Sequence, residues 1–247
     1  MSVLTWRDDE SFESGGGITY VCRPLDGRFP SHPGRFCLLK TRWQVEWYEK
    51  LLRDLEPRTI AEIGTFDGAS AALFAEIARP DKLVTIDGRQ ESSAALVDFM
   101  ARKDFAGSVA AYSGVDQGDA VRLREILGAE FDGEPLDLVI DDASHLADLS
   151  RRTFNCVFPY LRTGGTYVIE DWSWTHTATW NTSDEIPLTV LVFELILACA
   201  QRPSVVSNVN VYKNWALVTL GDATLDSETF DIATCYGPKA RSLIADL

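Results

Sequence analysis

The 247-residue sequence predicts an α/β fold on an open, largely parallel sheet, and three observations predict it. From Arg58 onward, short β-branched runs alternate with longer helical patterns. The runs are nearly continuous in apolar residues rather than alternating, as expected of strands covered on both faces. The segments between them are long enough for the helical crossovers that parallel strands require. Together these describe a doubly wound, Rossmann-like sheet of five parallel strands with right-handed crossovers.

Taken in order, a helix is expected over 41–55, then strands over 58–63, 83–86, 108–112, 136–140 and 166–169. Helices over 69–78, 91–104, 119–129 and 147–161 fill the gaps between strands. After Asp171 the rhythm changes. A loop rich in tryptophan (Trp172, Trp174, Trp180) leads to a helix over 186–201 and to strands over 205–212 and 216–220. Only Lys213-Asn214-Trp215 separates the last two, so they should close the sheet as an antiparallel hairpin. Residues 1–40, with Gly15-Gly16-Gly17 and Pro30-Ser31-His32-Pro33-Gly34, read as an irregular arm or lid before a single domain over 41–247. No internal repeat is visible.

Composition bounds the partners. Apolar residues make up 46% of the chain, ample for a packed core, while Lys+Arg 23 against Asp+Glu 37 gives a net charge of −14. A nucleic-acid footprint is built from clustered Lys and Arg, so neither nucleic acid nor an anionic membrane surface is an expected partner. The five cysteines are scattered, odd in number and without a C-x-x-C pair, which suits neither a disulfide framework nor a zinc site. The N-terminus shows no apolar run of secretory length. The longest apolar stretch, 186–200, is interrupted by Pro187, Thr189 and Glu194 and is too short to span a bilayer. A soluble, reduced, cytoplasmic protein is expected.

Open α/β sheets bind ligands beyond the carboxyl ends of their strands. The loop after the first strand reads Glu62-Ile63-Gly64-Thr65-Phe66-Asp67-Gly68-Ala69-Ser70. Its glycines are spaced G-x-x-x-G, not G-x-G-x-x-G, so the diphosphate fingerprint is absent. Glu62 would repel a diphosphate but suits an ammonium or sulfonium. Asp87 ends the second strand, where an acid can accept both hydroxyls of a ribose. Asp116 and Gln117 follow the third strand, where an adenine edge could be read. This describes a pocket for a nucleoside with a positive, unphosphorylated tail, which S-adenosylmethionine fits better than NAD or ATP. Glu62, Gly64, Thr65, Gly68, Ser70, Asp87, Asp116, Gln117 and Asp141 are the expected cofactor contacts. A glycine pair after a strand also serves as a plain tight turn, and Asp87 before Gly88 as a turn former.

The fourth strand ends Asp141-Asp142-Ala143-Ser144-His145 and the fifth Glu170-Asp171-Trp172. Adjacent parallel strands lie about 4.8 Å apart, so the two acidic pairs should sit side by side. Crowded carboxylates repel unless protonated or neutralised, and an all-oxygen cluster suits a hard ion such as Mg²⁺. The bland alternative is that Asp142 or Ser144 caps the next helix and the acids are solvated. His145, within a turn of the acids, is the candidate general base. Trp172, Trp174 and Trp180 are candidate apolar walls for an acceptor and His176 a candidate acceptor contact, although each could equally be structural.

These motifs, E-I-G-T-F-D-G at 62–68, I-D at 86–87, D-Q at 116–117, D-D-A-S-H at 141–145 and E-D at 170–171, resemble those of class I methyltransferases. In particular they resemble the metal-dependent sugar O-methyltransferases of macrolide tailoring, the macrocin and mycinamicin group, and the cephalosporin-hydroxylase-like methyltransferases. The resemblance covers roughly residues 40–220. It implies that Asp142, Glu170 and Asp171 hold Mg²⁺ and that His145 is the base. It also implies a small-molecule acceptor, most specifically a sugar hydroxyl of a secondary metabolite, and a homo-oligomer. Phe66 departs from it, standing where many such enzymes have a glycine. A catechol or phenol acceptor, N- or C-methylation, a nicotinamide-dependent oxidoreductase and a non-catalytic cofactor sensor are the alternatives.

Overall fold

The computed structural model of the chain describes residues 3–22, 29–176 and 186–245. The first forty residues depart most from expectation. Among those described, instead of an irregular segment, there are four strands: β1 (Leu4–Trp6), β2 (Ser11–Ser14), β3 (Thr19–Cys22) and β4 (Arg35–Leu38). They form a sheet in that order, with β3 and β4 parallel and the other pairs antiparallel. An aromatic stack causes this. Phe12 lies 4.9 Å from Tyr20, Tyr20 lies 5.7 Å from Phe36, and Phe36 meets Phe99 edge-on at 6.4 Å. All four rings are buried. Such pairs contribute about 0.5–1.5 kcal/mol each beyond the area they bury.

The chain divides into two compact units, Met1–Gly114 and Val115–Leu247. In the first, helix α1 (Arg42–Leu55) opens on a capping box between Thr41 and Gln44, with Thr41 N donating to Gln44 Oε1 at 2.9 Å. Then follow β5 (Thr59–Ile63), α2 (Ala69–Ala78), β6 (Lys82–Asp87), α3 (Ala94–Met100) and β7 (Val109–Ser113). β5 pairs with β6, and β6 with β7, both in parallel. Helix α3 is shorter than the expected 91–104, because Ser93 caps it, accepting from Leu96 N at 3.1 Å. Helix α2 is largely buried and carries Glu76, which accepts hydrogen bonds from Ser14 Oγ and Tyr20 Oη, both at 2.8 Å. This acid fastens the N-terminal sheet to the helix.

The second unit holds α4 (Ala120–Phe131), β8 (Leu136–Asp141), α5 (Ala147–Val157), β9 (Leu161–Glu170), α6 (Thr189–Gln201), β10 (Val206–Val211), β11 (Trp215–Leu220) and α7 (Pro238–Ala245). Helix α5 stops short of the expected 161. Pro159 has no N–H to continue the ladder, and Phe158–Tyr160 tighten into a 3₁₀ turn before an early start of β9. Pro187 likewise delays α6 from 186 to Thr189. β8 and β9 are parallel; β9–β11 and β10–β11 are antiparallel, so the expected hairpin is present. Within the first unit the parallel strands run in the order β5-β6-β7, and within the second the order is β10-β11-β9-β8, a mostly parallel α/β arrangement with an antiparallel ending. The five cysteines are free thiols. No described helix is long and apolar enough to cross a membrane.

Candidate active site

In the first unit the loop leaving β5 is shaped by backbone that favours glycine. Gly64 and Gly68 have φ of 96° and 84°, in the left-handed region that a side chain disfavours. At Gly68 a Cβ would also lie 2.7–2.8 Å from three atoms of Leu96. Phe66 takes φ of 48° without being glycine. Its ring stacks under the Arg89 guanidinium at 4.6 Å, and Arg89 Nη1 pairs with Asp67 Oδ1 at 2.7 Å. Asp87, at the end of β6, is the hub. Its Oδ2 accepts from Thr65 N at 2.8 Å and Phe66 N at 2.7 Å, and its Oδ1 from Arg89 N at 2.7 Å. Asp87 thus holds the glycine loop itself, a role additional to the ribose contact expected of it.

Glu62 is fully buried, and its Oε2 accepts from Thr85 Oγ1 at 2.6 Å; Thr85 in turn meets the Thr65 hydroxyl. Ser70 is buried in the first turn of α2. A small cleft at the ends of β6 and β7 is lined by Phe66, Asp87, Ser92, Leu96, Tyr112 and Ser113, among others. The Ser92 and Ser113 hydroxyls are hydrogen-bonded to each other at 2.8 Å, and Glu91 adds a second carboxylate to the lining. Ser92, Leu96 and Tyr112 were not singled out from sequence, because nothing in their local pattern separates them from ordinary helix and strand residues.

In the second unit, β8 and β9 pair with Asp141 opposite Ile169, which sets the two acidic pairs at neighbouring strand ends. Donor atoms of Asp142, His145 and Asp171 all lie within 4.8 Å of one another. His145 Nε2 is 3.8 Å from Asp142 Oδ1, too long for a hydrogen bond. Ligands around Mg²⁺ sit at about 2.0–2.1 Å, so opposite ones are about 4.2 Å apart. Glu170 is buried and is not part of this group. It is the last residue of β9, one step before Asp171, and successive side chains of a strand point to opposite faces. His145 and Asp171 both have left-handed backbone, φ 58° and 55°.

Neutral donors hold the surrounding acids. Asp141 is buried and accepts from Tyr167 Oη at 3.1 Å and Gln117 Nε2 at 3.2 Å. Burial pushes its carboxyl up to about 7, against the pull of the Tyr167 hydrogen bond, with the Asp142 charge adding to the rise. Gln117, expected to face an adenine, turns its amide inward. Its Oε1 accepts from Ser144 N at 3.1 Å, fixing the turn that carries His145. Asp116 is exposed and caps its own turn, accepting from Gly118 N at 2.7 Å. Asp171 Oδ1 accepts from Asn214 Nδ2 at 2.9 Å.

The Trp174 ring lies 4.7 Å from the His145 ring. Trp172 Nε1 donates to Tyr212 O at 2.8 Å, and His176 Nε2 meets Thr189 Oγ1. Trp180 lies outside the described residues. Asn214 and Tyr167 were missed from sequence. Asn214 read only as a turn residue, and Tyr167 only as strand interior.

Residues 61–172 match the family described as a methyltransferase domain. The chain is 43% identical over 67 residues to mycinamicin VI 2''-O-methyltransferase of Micromonospora griseorubida, covering 23% of this chain and 16% of that protein. It is 39% identical over 84 residues to L-olivosyl-oleandolide 3-O-methyltransferase of Streptomyces antibioticus, covering 34% and 20%. Among solved structures it resembles the MycE methyltransferase of the mycinamycin pathway, in complex with Mg, S-adenosylhomocysteine and mycinamycin VI. That match has a TM-score of 0.59 and 24% identity, and covers 75% of this chain and 51% of that one. It also resembles the O-methyltransferase TomG of Streptomyces achromogenes, with a TM-score of 0.55, 23% identity, and 74% and 82% coverage. The chain therefore spans about half of the MycE chain, and its aligned stretches a fifth or less of those curated relatives.

Proposed function

We propose that this chain, which has the class I methyltransferase fold and a methyltransferase domain over residues 61–172, is an S-adenosylmethionine-dependent O-methyltransferase acting with Mg²⁺. Its acceptor would be a hydroxyl of a small molecule, most specifically a sugar of a secondary metabolite. The observation that carries the proposal is the grouping of Asp142, His145 and Asp171 donors at the ends of β8 and β9. The matches to sugar O-methyltransferases support it, as does the Mg in the MycE structure.

The residues fit both groups. Two carboxylates within 4.8 Å of one imidazole suit a dication, and Asp142 and Asp171 would hold it. Glu170 enters as a third ligand by resemblance alone. For the cofactor, Gly64 and Gly68 allow close approach, Asp87 would take the ribose hydroxyls, and the cleft beside Leu96 and Ser113 would take the adenine. Glu62, Thr65, Ser70 and Asp116 complete the proposed contacts, whereas Gln117 and Asp141 are bonded to each other.

When bound, S-adenosylmethionine supplies a methyl group on positive sulfur, and the dication lowers the pKa of an acceptor hydroxyl. The imidazole of His145 accepts the hydroxyl proton as the oxygen attacks. Asp142 Oδ1 lies 3.8 Å from its Nε2. Trp174, packed on that ring, restricts its rotation. Trp172, Trp174 and His176 would flank the acceptor, and in-line positioning contributes about 7–11 kcal/mol of the barrier reduction.

The test is transfer of labelled methyl from S-adenosylmethionine over a panel of sugars, catechols and phenols, with and without EDTA. Transfer to a sugar that EDTA abolishes and Mg²⁺ restores, with S-adenosylhomocysteine binding unchanged by EDTA, is the expected result. EDTA-resistant transfer would remove the metal from the mechanism; transfer to catechols alone would replace the sugar.

A further inference from the structure

The turn between β10 and β11 meets the end of β9 residue by residue. Asp171 N donates to Asn214 O at 2.6 Å, and Asn214 Nδ2 donates back to Asp171 Oδ1 at 2.9 Å. Beside it, Trp172 Nε1 donates to Tyr212 O and Ser173 Oγ to Lys213 O, both at 2.8 Å. Residues 171–173 are thus held by residues 212–214 at three successive points, and Asp171 is the point held by both backbone and side chain. Its left-handed φ of 55° turns the chain out of the strand there.

We infer that Asn214 is a positioning residue for cation binding: its side-chain amide aims the Asp171 carboxylate into the group formed with Asp142 and His145. The inference rests on the proposed role of Asp171 as a cation ligand. The chemistry of the donor matters. A lysine or arginine in this place would orient the carboxylate but cancel its charge and compete with a dication. An amide donates a hydrogen bond and leaves the full negative charge on the ligand. A backbone pair alone would fix the Cα of Asp171 and not the rotation of its carboxylate. Partners that orient a metal ligand in this way change metal affinity by about 10–100-fold when removed.

The experiment titrates Mn²⁺ into the metal-stripped full chain, followed by electron paramagnetic resonance of free Mn²⁺. S-adenosylhomocysteine is titrated calorimetrically in parallel. Asn214→Ala is expected to weaken Mn²⁺ by about 10–100-fold and to leave S-adenosylhomocysteine affinity within twofold. Ser173→Ala loosens the same turn without touching Asp171 and should keep wild-type Mn²⁺ affinity. Asn214→Ser, which restores a short neutral donor, should recover part of the loss. Equal Mn²⁺ affinity in Asn214→Ala and wild type overturns the inference alone, as does equal weakening by Ser173→Ala, which would assign the effect to the turn. A wild-type chain that takes up no Mn²⁺ overturns both the metal in the proposed function and this role. Should Asn214→Ala fail to fold, Asn214→Ser and Ser173→Ala carry the same comparison: Ser173→Ala binding Mn²⁺ more weakly than Asn214→Ser overturns the inference, and the reverse order supports it.

Discussion

Replacing Gly68 by alanine isolates what the first glycine loop requires. Two costs are added by the single methyl group. With φ at 84°, an alanine pays the left-handed penalty of about 1–2 kcal/mol. Its Cβ would also fall 2.7 Å from Leu96 Cβ and 2.8 Å from both Leu96 Cδ atoms. Because Cβ itself is among the contacts, rotating the buried leucine does not clear the overlap, and overpacking of this kind costs about 1–3 kcal/mol. The sum is ~2–5 kcal/mol. For a chain of this size each kcal/mol lowers Tm by about 2–4 °C, so a drop of about 4–20 °C is expected. Moving the loop also withdraws the Thr65 and Phe66 N–H groups from Asp87, so S-adenosylhomocysteine affinity should fall about tenfold or more, which corresponds to about 1.4 kcal/mol. A double-mutant cycle with Leu96→Gly, which removes the Cβ as well as both Cδ atoms, separates the terms: the overlap appears as a coupling energy of about 1–3 kcal/mol, and the backbone strain persists. A Gly68→Ala protein within about 0.5 kcal/mol of wild type, or one with no coupling to Leu96, would refute the reasoning.

His145→Ala should lower turnover by ~10²–10⁴ while leaving S-adenosylhomocysteine affinity unchanged, since the loss of a general base acts on the proton transfer alone; unchanged turnover removes His145 from the chemistry. Glu76 gives a pH signature. Burial raises its carboxyl above the usual value, against the hydrogen bonds of Ser14 and Tyr20 and the charges of Arg79 and Arg102. Its contribution to stability is therefore full below the unfolded-state pKa and is lost as pH rises through the folded one. Urea midpoints of Glu76→Gln should accordingly gain on wild type as pH rises above about 4, and a gap independent of pH would show that Glu76 titrates as an ordinary carboxyl.

The parallel sheet was legible because its strands are continuous apolar runs and its crossovers are long, features that local sequence carries. The N-terminal sheet was not. Its strands are three or four residues long and depend on Phe12, Tyr20, Phe36 and Phe99 meeting across distant segments. Glycine-rich turns between them dominate the local pattern. At the site, the spacing of Asp142, His145 and Asp171 was readable because each ends a strand or follows one by a few residues. Which acids converge was not readable. Glu170 and Asp171 are neighbours in sequence, and only the backbone turn at Asp171 decides which of them joins the group. Gln117 shows the same limit: a polar residue after a strand fits a ligand contact and an internal brace equally well until its partners Asp141 and Ser144 are seen.

Burial of an acid does not by itself single out this site. Glu76 is as buried as Asp171 and is satisfied by hydroxyls, and Glu194 is buried against Arg151 and Tyr236, at 2.7 Å and 2.6 Å. Each of those is one carboxylate bonded to two side chains from other segments. Asp142 and Asp171 differ in being brought toward each other. Their donor atoms lie within 4.8 Å of each other, and two like charges at that distance repel by about 3.5 kcal/mol at an effective dielectric near 20. Left-handed backbone at His145 and Asp171 adds about 1–3 kcal/mol at each residue. A chain already at −14 gains no stability from such an arrangement. Yet it is held by specific devices: Asn214 on Asp171, and Gln117 on the turn before His145. Unfavourable charge and backbone, concentrated at one pair of strand ends and braced by neutral donors, become favourable when a cation turns the repulsion into two attractions, and that is the physical case for a metal at this place.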